Sequence, residues 1–529
     1  MIEGAKGNTM NTMNTMNAIN PKNAINMKKI MATICAVIAA SLLACAGPMI
    51  QNETRFLQRD AQAELFFSQL DKTIRNNSVS DASGFLVEGF PYMRSNRFLA
   101  GMKTHLHTDQ DGVYWAEKML KQGLQSRRKE LNNLPEAAFE KLSEATGEIL
   151  DRQATIRKAE QYAHRMFRED QTQPDFMPVL KRAVRVPDEY STLARIFGLY
   201  PLAGIPVTIG TAVAYSRYQD WHQTTPDELE VLGALTRHVP PKTDASVDPA
   251  FIKQLYDPDR LDAFGLPQLA PADVRQLAGL FAPVILQDVA ESYDRVGQIM
   301  WQENRVTVDS ENPTVYYYTS HSFLEGQPVL QLNYAFWYSE RSGENAPRIE
   351  HGPLDGVTYR VTLGRDGEPV MVDIMNTCGC YYFFGPKKEI IAKIVAKPGE
   401  IAPLVPTWIP MGYPQKRMLL RVNSGWHQVQ RILTDDGSQA GIPYSLVPYA
   451  VLESLPKADG QMESVFTPAG IMKDSWRIEP YIFFSMGIEN IGYMRQRGHH
   501  AIKMVGRGHF TDPELYDRSF QFQLQTSQP

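Results

Sequence analysis

The hydrophobic positions along this chain follow one period in its first half and another in its second. Between about residues 54 and 280, apolar side chains recur at the spacing of an amphipathic helix. The pattern begins with Phe56, Leu57, Leu65, Phe66, Leu70 and Ile74. From about residue 285 onward, apolar and polar residues alternate as they do along a half-buried strand. We therefore predict an α+β protein, with a helical domain over residues 45–280 and a β-rich domain, an antiparallel sheet or sandwich, over residues 281–529.

One long helix is predicted after Pro135, because proline is favoured in the first turn of a helix. The charged run that follows carries a single apolar stripe, formed by Phe139, Leu142, Ile149, Leu150 and Ile156. This arrangement is typical of an amphipathic surface helix. Pro226 and Ala272 begin two further segments with the composition of helix starts.

Residues 196–216 interrupt the helical pattern, because they carry no charge at all. Their length suits a membrane span. However, two prolines and three glycines break the run, at Pro201, Pro206, Gly198, Gly204 and Gly210. Irregular backbone in lipid leaves hydrogen-bonding groups unsatisfied. We therefore predict a buried or interfacial hairpin, which could still lie against a bilayer.

Two segments in the second half give the clearest strand signals. Residues 329–338 place Leu330, Leu332, Tyr334, Phe336 and Tyr338 on one face, and Gln331 and Asn333 on the other. Residues 357–374 alternate on both sides of a Gly-Arg-Asp-Gly turn, which predicts a β-hairpin. Cross-strand partners share a face, so we predict three pairs: Leu363 with Val370, Val361 with Val372, and Tyr359 with Ile374.

Extending this register brings four reactive side chains to the open end of the hairpin. Cys378 would lie opposite Asp355 and Cys380 opposite Pro353, with His351 close by. Thiolates, imidazole and carboxylate are the ordinary ligands of zinc. His351, Asp355, Cys378 and Cys380 therefore predict a metal site with zinc as the expected ion, although Cys-Gly-Cys is tighter than the usual zinc spacing.

Two other interpretations of this group stay open. In the first, Cys378 or Cys380 is a nucleophile, with His351 as its base and Asp355 orienting the imidazole. In the second, the cysteines are buried or oxidised in a structural turn. Four further residues stand alone and have no assigned role except as neighbours of the hairpin, namely His321, Glu340, Trp426 and His427.

The N-terminal segment has the composition of an export signal. Two lysines precede an uncharged run over residues 30–43, which has signal-peptide length and is short for a bilayer span. It ends in Leu-Leu-Ala-Cys45, which resembles the lipobox of bacterial lipoproteins. The resemblance implies that residues 1–44 are a leader and signal peptide, and that acylated Cys45 anchors the mature chain to the membrane. Ala46 after the cysteine favours an outer-membrane location facing the periplasm.

Composition and charge exclude several classes of protein. The chain has 529 residues, 43% hydrophobic and 21% charged, which is ordinary globular composition. Its formal net charge is −5, and it has no long basic run. These features argue against nucleic-acid binding. Loss of Cys35 with the leader and acylation of Cys45 would leave two thiols, too few for a disulfide scaffold.

A second cluster of candidate residues lies near the C-terminus. It combines three arginines with three histidines, Arg495, Arg497, His499, His500, Arg507 and His509. Such a group predicts binding of a phosphate or carboxylate, with a solvated polar end to the β-rich domain as the alternative. The sequence lacks the nucleophile elbow, the His-Glu-x-x-His motif, the P-loop and the dinucleotide fingerprint, which lowers the expectation of an enzyme.

Several segments together resemble an uncharacterised family of exported proteobacterial lipoprotein-type proteins. They are residues 90–99, 330–341, 351–363, 378–381 and 505–510. The resemblance implies export but brings no activity. We therefore expect an outer-membrane lipoprotein with a structural or binding role in the periplasm and an unidentified protein partner. The alternative is a metal- or thiol-dependent hydrolase centred on His351, Asp355, Cys378 and Cys380.

Overall fold

The first part of the chain is helical, as the spacing of its apolar residues predicts. A computed structural model describes residues 59–242, 249–396 and 400–523. The predicted leader and the predicted lipidation at Cys45 lie outside the described residues. The helices up to residue 281 are α1 (Ala61–Asn76), α2 (Arg97–Gly101), α3 (Asp109–Asn133), α4 (Glu136–Thr146), α5 (Arg152–Gln171), α6 (Phe176–Ala183), α7 (Thr192–Phe197), α8 (Tyr200–Gln223), α9 (Pro249–Leu255) and α10 (Pro271–Phe281).

Helix α1 shows how side chains set the ends and the buried face of these helices. Asp60 caps its N-terminus by accepting from the amide of Gln62, which satisfies a donor that has no partner within the helix. Phe66, Leu70 and Ile74 are buried, as predicted. Leu65 lies in the predicted helix but is 52% exposed and so lies outside its buried face.

The single helix predicted after Pro135 is wrong, because the chain forms α4 and α5 instead. Gly147 ends α4 with a φ of 72°, a left-handed conformation that favours glycine. Asp151 then caps the next helix by accepting from the amide of Ala154. The break leaves Ile149 98% exposed, while Leu150 on the same predicted stripe is buried.

The hairpin predicted over residues 196–216 is also wrong, because this segment is helical. A left-handed residue, Leu199 with φ 49°, separates α7 from α8. Pro201 lies in the first turn of α8, where its missing amide hydrogen leaves no bond unmade. Pro206 lies further inside. No helix within the described ranges is both long enough and apolar enough to cross a membrane.

The second part of the chain forms two main sheets. The larger has the order β11 (Phe383–Pro386), β10 (Pro369–Asn376), β9 (Gly352–Leu363), β8 (Gln327–Arg341), β7 (Thr314–Leu324) and β16 (Ser445–Pro448). The smaller has the order β14 (Val429–Asp435), β13 (Arg417–Val422), β4 (Val284–Val289), β3 (Ala234–Val239) and β15 (Ile442–Pro443). Most pairs are antiparallel; β16 with β7, β13 with β4, and β15 with β3 are parallel.

Shorter elements complete the described fold around these sheets. Four two-stranded ribbons join β1 (Phe85–Val87) to β2 (Phe90–Ser95), β5 (Gln298–Gln302) to β6 (Arg305–Asp309), β12 (Ile391–Ile394) to β19 (Phe520–Phe522), and β17 (Leu455–Pro456) to β18 (Met462–Glu463). The last two helices are α11 (Glu479–Phe483) and α12 (Leu515–Ser519).

The main core lies where the two large sheets share buried apolar side chains. Ile285 and Leu420 of the smaller sheet belong to the same cluster as Leu332 and Tyr334 of β8. The predicted alternation along β8 is confirmed, since Leu330, Leu332, Tyr334, Phe336 and Tyr338 all enter this core. The α+β fold class is therefore confirmed.

The predicted hairpin forms between β9 and β10, with one change of register. Val361 pairs with Val372 and Tyr359 with Ile374, as predicted. A bulge after Pro369 places that proline, rather than Val370, opposite Leu363. Because one residue of slip turns a strand over, Val370 packs on the opposite face of the sheet.

Helix-rich and strand-rich parts belong to one compact unit that includes every described residue. Strand β3 precedes residue 280 and pairs with β4, which follows it. Asn133 of α3 donates to the carbonyl of Glu453 at 2.9 Å, and Arg97 of α2 to that of Gly498 at 3.4 Å. The boundary at residue 280 thus marks a change of composition within one unit.

Candidate functional site

The two cysteines lie in a tight turn between β10 and β11. Gly379 between them has a φ of 91°, and an added Cβ would lie 2.2 Å from the carbonyl oxygen of Ala501. The amide of Cys380 donates to the sulfur of Cys378 at 3.4 Å, and both thiols are free. Glycine is therefore required here for both its conformation and its size.

The turn takes the cysteines out of the register predicted for them. The β9–β10 ladder ends at Asn376, which pairs with Val357, and one further bond runs from the amide of Thr377 to the carbonyl of Gly356. Pro353 and Asp355 pair with β8 instead. The predicted placement of Cys378 opposite Asp355 and of Cys380 opposite Pro353 is therefore wrong.

Cys378 nevertheless lies in the electrostatic surroundings of Arg341. A hydrogen bond with the Cys380 thiol, helped by the Arg341 charge, lowers the pKa of Cys378 below its ordinary value. The same hydrogen bond, together with burial, raises the pKa of Cys380. The thiols thus differ in acidity, as two sulfurs sharing one proton do.

Asp355 lies at the centre of a buried ion network. Arg341 donates to both of its carboxylate oxygens, at 2.9 Å each. His427 donates from Nδ1 to Asp355 at 2.8 Å and from Nε2 to Asp294 at 3.2 Å. The imidazole stacks on the ring of Tyr338, with 3.8 Å between ring centroids.

The two carboxylates favour the charged form of the His427 ring despite its complete burial. Burial opposes the charge, but the hydrogen bonds to Asp294 and Asp355 prevail and raise the pKa of His427 above its ordinary value. The pKa of Asp355 is lowered against a large effect of burial, mainly by Arg341. Each charge in the network is therefore balanced by a neighbour.

Glu350 extends the network toward the cysteine turn. It accepts from Arg341 at 2.6 Å, from the indole of Trp426 at 2.9 Å and from the hydroxyl of Tyr381. The nearby guanidinium of Arg477 donates to the carbonyls of Pro353 and Leu354.

This network is closed to substrates. Asp294, Asp355 and His427 are 0% exposed and Arg341 is 2% exposed. Both nitrogens of His427 already face carboxylates, so the ring has no nitrogen left to act as a base for a thiol. His427 contacts two carboxylates rather than a nucleophile, so the arrangement is a set of buried ion pairs and not a catalytic triad.

The structure does not assemble the predicted metal site. His351 donates from Nε2 to the carbonyl of Ala346 at 3.1 Å, and Asp355 is engaged by Arg341 and His427. Across the described ranges, no group of three or more His, Cys, Asp or Glu side chains is placed to hold a metal ion. The structure therefore offers no set of ligands for zinc at His351, Asp355, Cys378 and Cys380.

Most side chains of the predicted anion-binding cluster contact carboxylates of the same protein. Arg495 and His499 face Glu189, at 3.7 and 3.0 Å. The remaining charged contacts join Arg497 to Glu453, Arg507 to Asp188, and His509 to Asp188 and Asp512. His500 is buried, and burial lowers its pKa to about 3, so it is neutral. These side chains therefore do not converge on one open anion site; several instead tie C-terminal loops to residues 188 and 189.

A cavity of about 410 Å³ lies between the helical part and the C-terminal loops. One wall comes from α1, β1, β2 and α3, and the other from residues 187–191, 468–469, 489 and 499. His499 is the only member of the predicted anion-binding cluster in the wall. The volume falls in the range of small-molecule sites.

Ion pairs fix the charged part of the cavity wall. Arg94 and Arg127 both donate to Glu130, and Arg127 also pairs with Asp71. Arg75 lines the same wall and is exposed. Ile74, Phe85 and Leu86 contribute apolar surface. The wall thus offers a fixed polar side and an apolar side.

Sequence reasoning did not find these two sites for a simple reason. The network joins residues from separate strands and loops, and the cavity joins segments more than 400 positions apart. Asp355, Trp426 and His427 are the residues of the network that the sequence singles out, and His499 is the residue of the predicted anion-binding cluster that lines the cavity. In comparisons with known proteins, no family model, no curated protein and no solved structure matches this chain.

Proposed function

We propose that this chain is a lipid-anchored protein of the bacterial cell envelope, held at the outer membrane through Cys45 and facing the periplasm. We further propose that its role is to bind a small molecule rather than to catalyse a reaction. The lipobox-like sequence before Cys45 supports the anchor. The cavity supports the binding role, because it is a pocket of ligand size whose wall is held in place by ion pairs.

The catalytic alternative has no comparable support. A hydrolase needs a nucleophile or metal within reach of a substrate. Around Cys378, the side chains that could act as a nucleophile or a metal ligand are buried, and neighbouring protein groups occupy their hydrogen-bonding atoms. We therefore do not propose a hydrolase at His351, Asp355, Cys378 and Cys380.

Metabolic labelling with an alkyne-bearing fatty acid tests the anchor. The wild-type chain should incorporate the label and a Cys45→Ala variant should not. Label retained by the variant, or absent from the wild type, contradicts the lipoprotein proposal. This result does not depend on what the cavity binds.

Filling the cavity tests the binding role. Ala469 lies in the cavity wall and is exposed, so Ala469→Trp adds bulk there without entering the core. Ala440→Trp makes the same change on an exposed loop away from the cavity. Native mass spectrometry of protein purified from the envelope should find a small-molecule adduct on the wild type and on Ala440→Trp, but not on Ala469→Trp. Equal adducts on both variants, or none on the wild type, would remove the proposed binding site.

A further inference from the structure

An exposed apolar surface covers the side of the molecule formed by α7, α8 and α11. We call the exposed apolar side chains of residues 193–213 and 476–484 the apolar face. Along α8, Leu202, Ile205, Ile209 and Val213 are each more than 55% exposed, at 66, 57, 62 and 59%. A helix in water normally turns polar side chains outward, whereas the exposed side chains in the first half of α8 are mostly apolar.

The two segments of the apolar face lie side by side. The amide of Ser191 donates to the carbonyl of Gly487 at 2.7 Å, and Arg195 donates to the carbonyl of Met486 at 2.8 Å. Gly198 approaches Ser485 so closely that an added Cβ would lie 2.5 Å from its Cα. Phe197 and Phe484, which are 66 and 52% exposed, therefore belong to one surface. Contiguous apolar surface of this kind marks an interaction site.

We infer that the apolar face lies on a lipid bilayer, with α8 in the plane of the membrane interface. Residues 196–216 carry no charge, and in the first half of α8 the exposed side chains are uncharged and mostly apolar. An uncharged, exposed surface of this kind suits hydrocarbon surroundings better than the mixed polar and apolar surface of a protein interface. No described helix is able to span a bilayer, so the contact is peripheral.

Two aromatic residues of the face and a charged residue that follows it in the chain fit the same orientation. Trp476 and Tyr481 are 59 and 80% exposed, and these two residue types are enriched where membrane meets water. Arg217, the first charged residue after the uncharged run, is exposed and suited to the headgroup layer.

The chain outside the described residues is consistent with this contact. Cys45 precedes Arg59, the first described residue, by 14 positions. A fully extended segment of that length spans at most about 50 Å, so an acylated Cys45 would keep the folded body close to the bilayer. The contact itself goes beyond the proposed anchor and does not require acylation.

A tryptophan placed on the face and one placed elsewhere test the inference. Both variants are made in the full chain carrying Cys45→Ala, so acylation plays no part. Ile205→Trp lies on the apolar face, whereas Leu65→Trp replaces a 52% exposed leucine of α1. Vesicles of phosphatidylethanolamine and phosphatidylglycerol, with and without brominated acyl chains, report contact with hydrocarbon by quenching. Brominated vesicles should quench additional fluorescence in Ile205→Trp but not in Leu65→Trp.

A second set of variants measures how much binding the face provides. Replacing Leu202, Ile205 and Ile209 by glutamine should weaken vesicle flotation by at least about tenfold, because apolar burial contributes in proportion to area. The matched control replaces exposed Leu65, Ile149 and Met411 by glutamine and should leave flotation unchanged.

Three outcomes overturn the inference. Equal quenching of both tryptophan variants excludes membrane contact by the face. Self-association by analytical ultracentrifugation, abolished by the α8 glutamines, identifies a second copy as the occupant. Protection of the tryptophan at position 205 from acrylamide without vesicles shows that the chain itself covers the face.

Discussion

At the scale of single residues, glycine and histidine positions show how closely this fold constrains local chemistry. Gly379 needs both a positive φ and the absence of a side chain, because Ala501 approaches it at 2.2 Å from the place of a Cβ. Gly498 has nearly the same φ, 92°, but open space around it. Comparing the same substitution at the two positions therefore separates the effect of backbone strain from the effect of steric contact.

Alanine at these glycines should give unequal losses of stability. Both changes impose a strained φ, but Gly379→Ala also forces the turn away from Ala501. We expect Gly379→Ala to lower the free energy of unfolding by at least about 2 kcal/mol more than Gly498→Ala. Urea denaturation of both variants measures the difference. Equal losses would mean that the cysteine turn moves freely away from Ala501.

His427 should stabilise the protein in a pH-dependent way. Its pKa is higher in the folded protein than in the unfolded chain. The charged ring therefore contributes fully below its ordinary pKa of about 6.5, and the contribution is lost as the pH rises through the raised value. We expect His427→Gln to cost about 3–5 kcal/mol at low pH and less in alkaline solution.

His222 is a control, because its contribution to stability changes with pH in the opposite direction. Burial lowers its pKa to about 4, so its neutral ring favours folding increasingly as the pH rises to about 6.5. Urea denaturation from about pH 4 into alkaline solution should show a constant cost of His427→Gln up to about pH 6.5 and a falling cost above it. The same experiment should show no such fall for His222→Gln. A pH-independent cost at His427 would mean that its ring is neutral in the fold.

At the scale of elements, the positions of the prolines in α8 explain why a sequence that contains helix-breaking residues forms a helix. Pro201 lies in the first turn, where it is harmless. Pro206 lies in the interior, where it removes the bond from its own nitrogen to the carbonyl of Leu202.

Alanine at these prolines should therefore act differently. Pro206→Ala restores a helical hydrogen bond and should raise the free energy of unfolding by about 1 kcal/mol, since the gain is partly offset by a freer unfolded chain. Pro201→Ala restores nothing and should be neutral or slightly destabilising. Thermal unfolding of the two variants makes the comparison. A loss of stability in Pro206→Ala would show that the helix requires the proline.

Elements with strong periodicity could be predicted from the sequence, and their junctions could not. The β8 alternation and two of three hairpin pairs are correct, because side chains must return to the core face at every second residue. The third pair fails at Pro369, where a bulge inserts one residue. The predicted hairpin over residues 196–216 fails because proline tolerance depends on its position within the helix turn, which cannot be known before the helix start is fixed.

At the scale of the whole molecule, the helix-rich and strand-rich parts are joined by buried charges. The carboxylate of Glu189 contacts Arg97 of the helical part. It also contacts Arg495 and His499 of the C-terminal loops. The candidate sites are likewise formed by side chains from segments that are distant in sequence. Asp294, Glu350 and His427 share no motif, because only the folded chain brings their segments together.

Unfolding should therefore be a single transition that depends on Glu189. Tryptophan fluorescence and far-ultraviolet circular dichroism should give the same midpoint in urea. Glu189→Gln should lower that midpoint, with a cost of about 3 kcal/mol for leaving buried cations unpaired. Glu514→Gln removes an exposed pair with Arg518 and should cost less than about 0.5 kcal/mol. Separate midpoints for the two probes would show that the parts fold independently.

The cavity has a consequence for the stage of biosynthesis at which the proposed ligand binding becomes available. Its wall runs from Asp71 near the start of the described chain to His499 near its end. Because synthesis proceeds from the N-terminus, the residues of one wall are made long before the residues of the other. The proposed binding must therefore wait until nearly the whole polypeptide has been synthesised. Because the described residues form one compact unit, a product truncated before His499 would lack both the complete cavity and a stable fold.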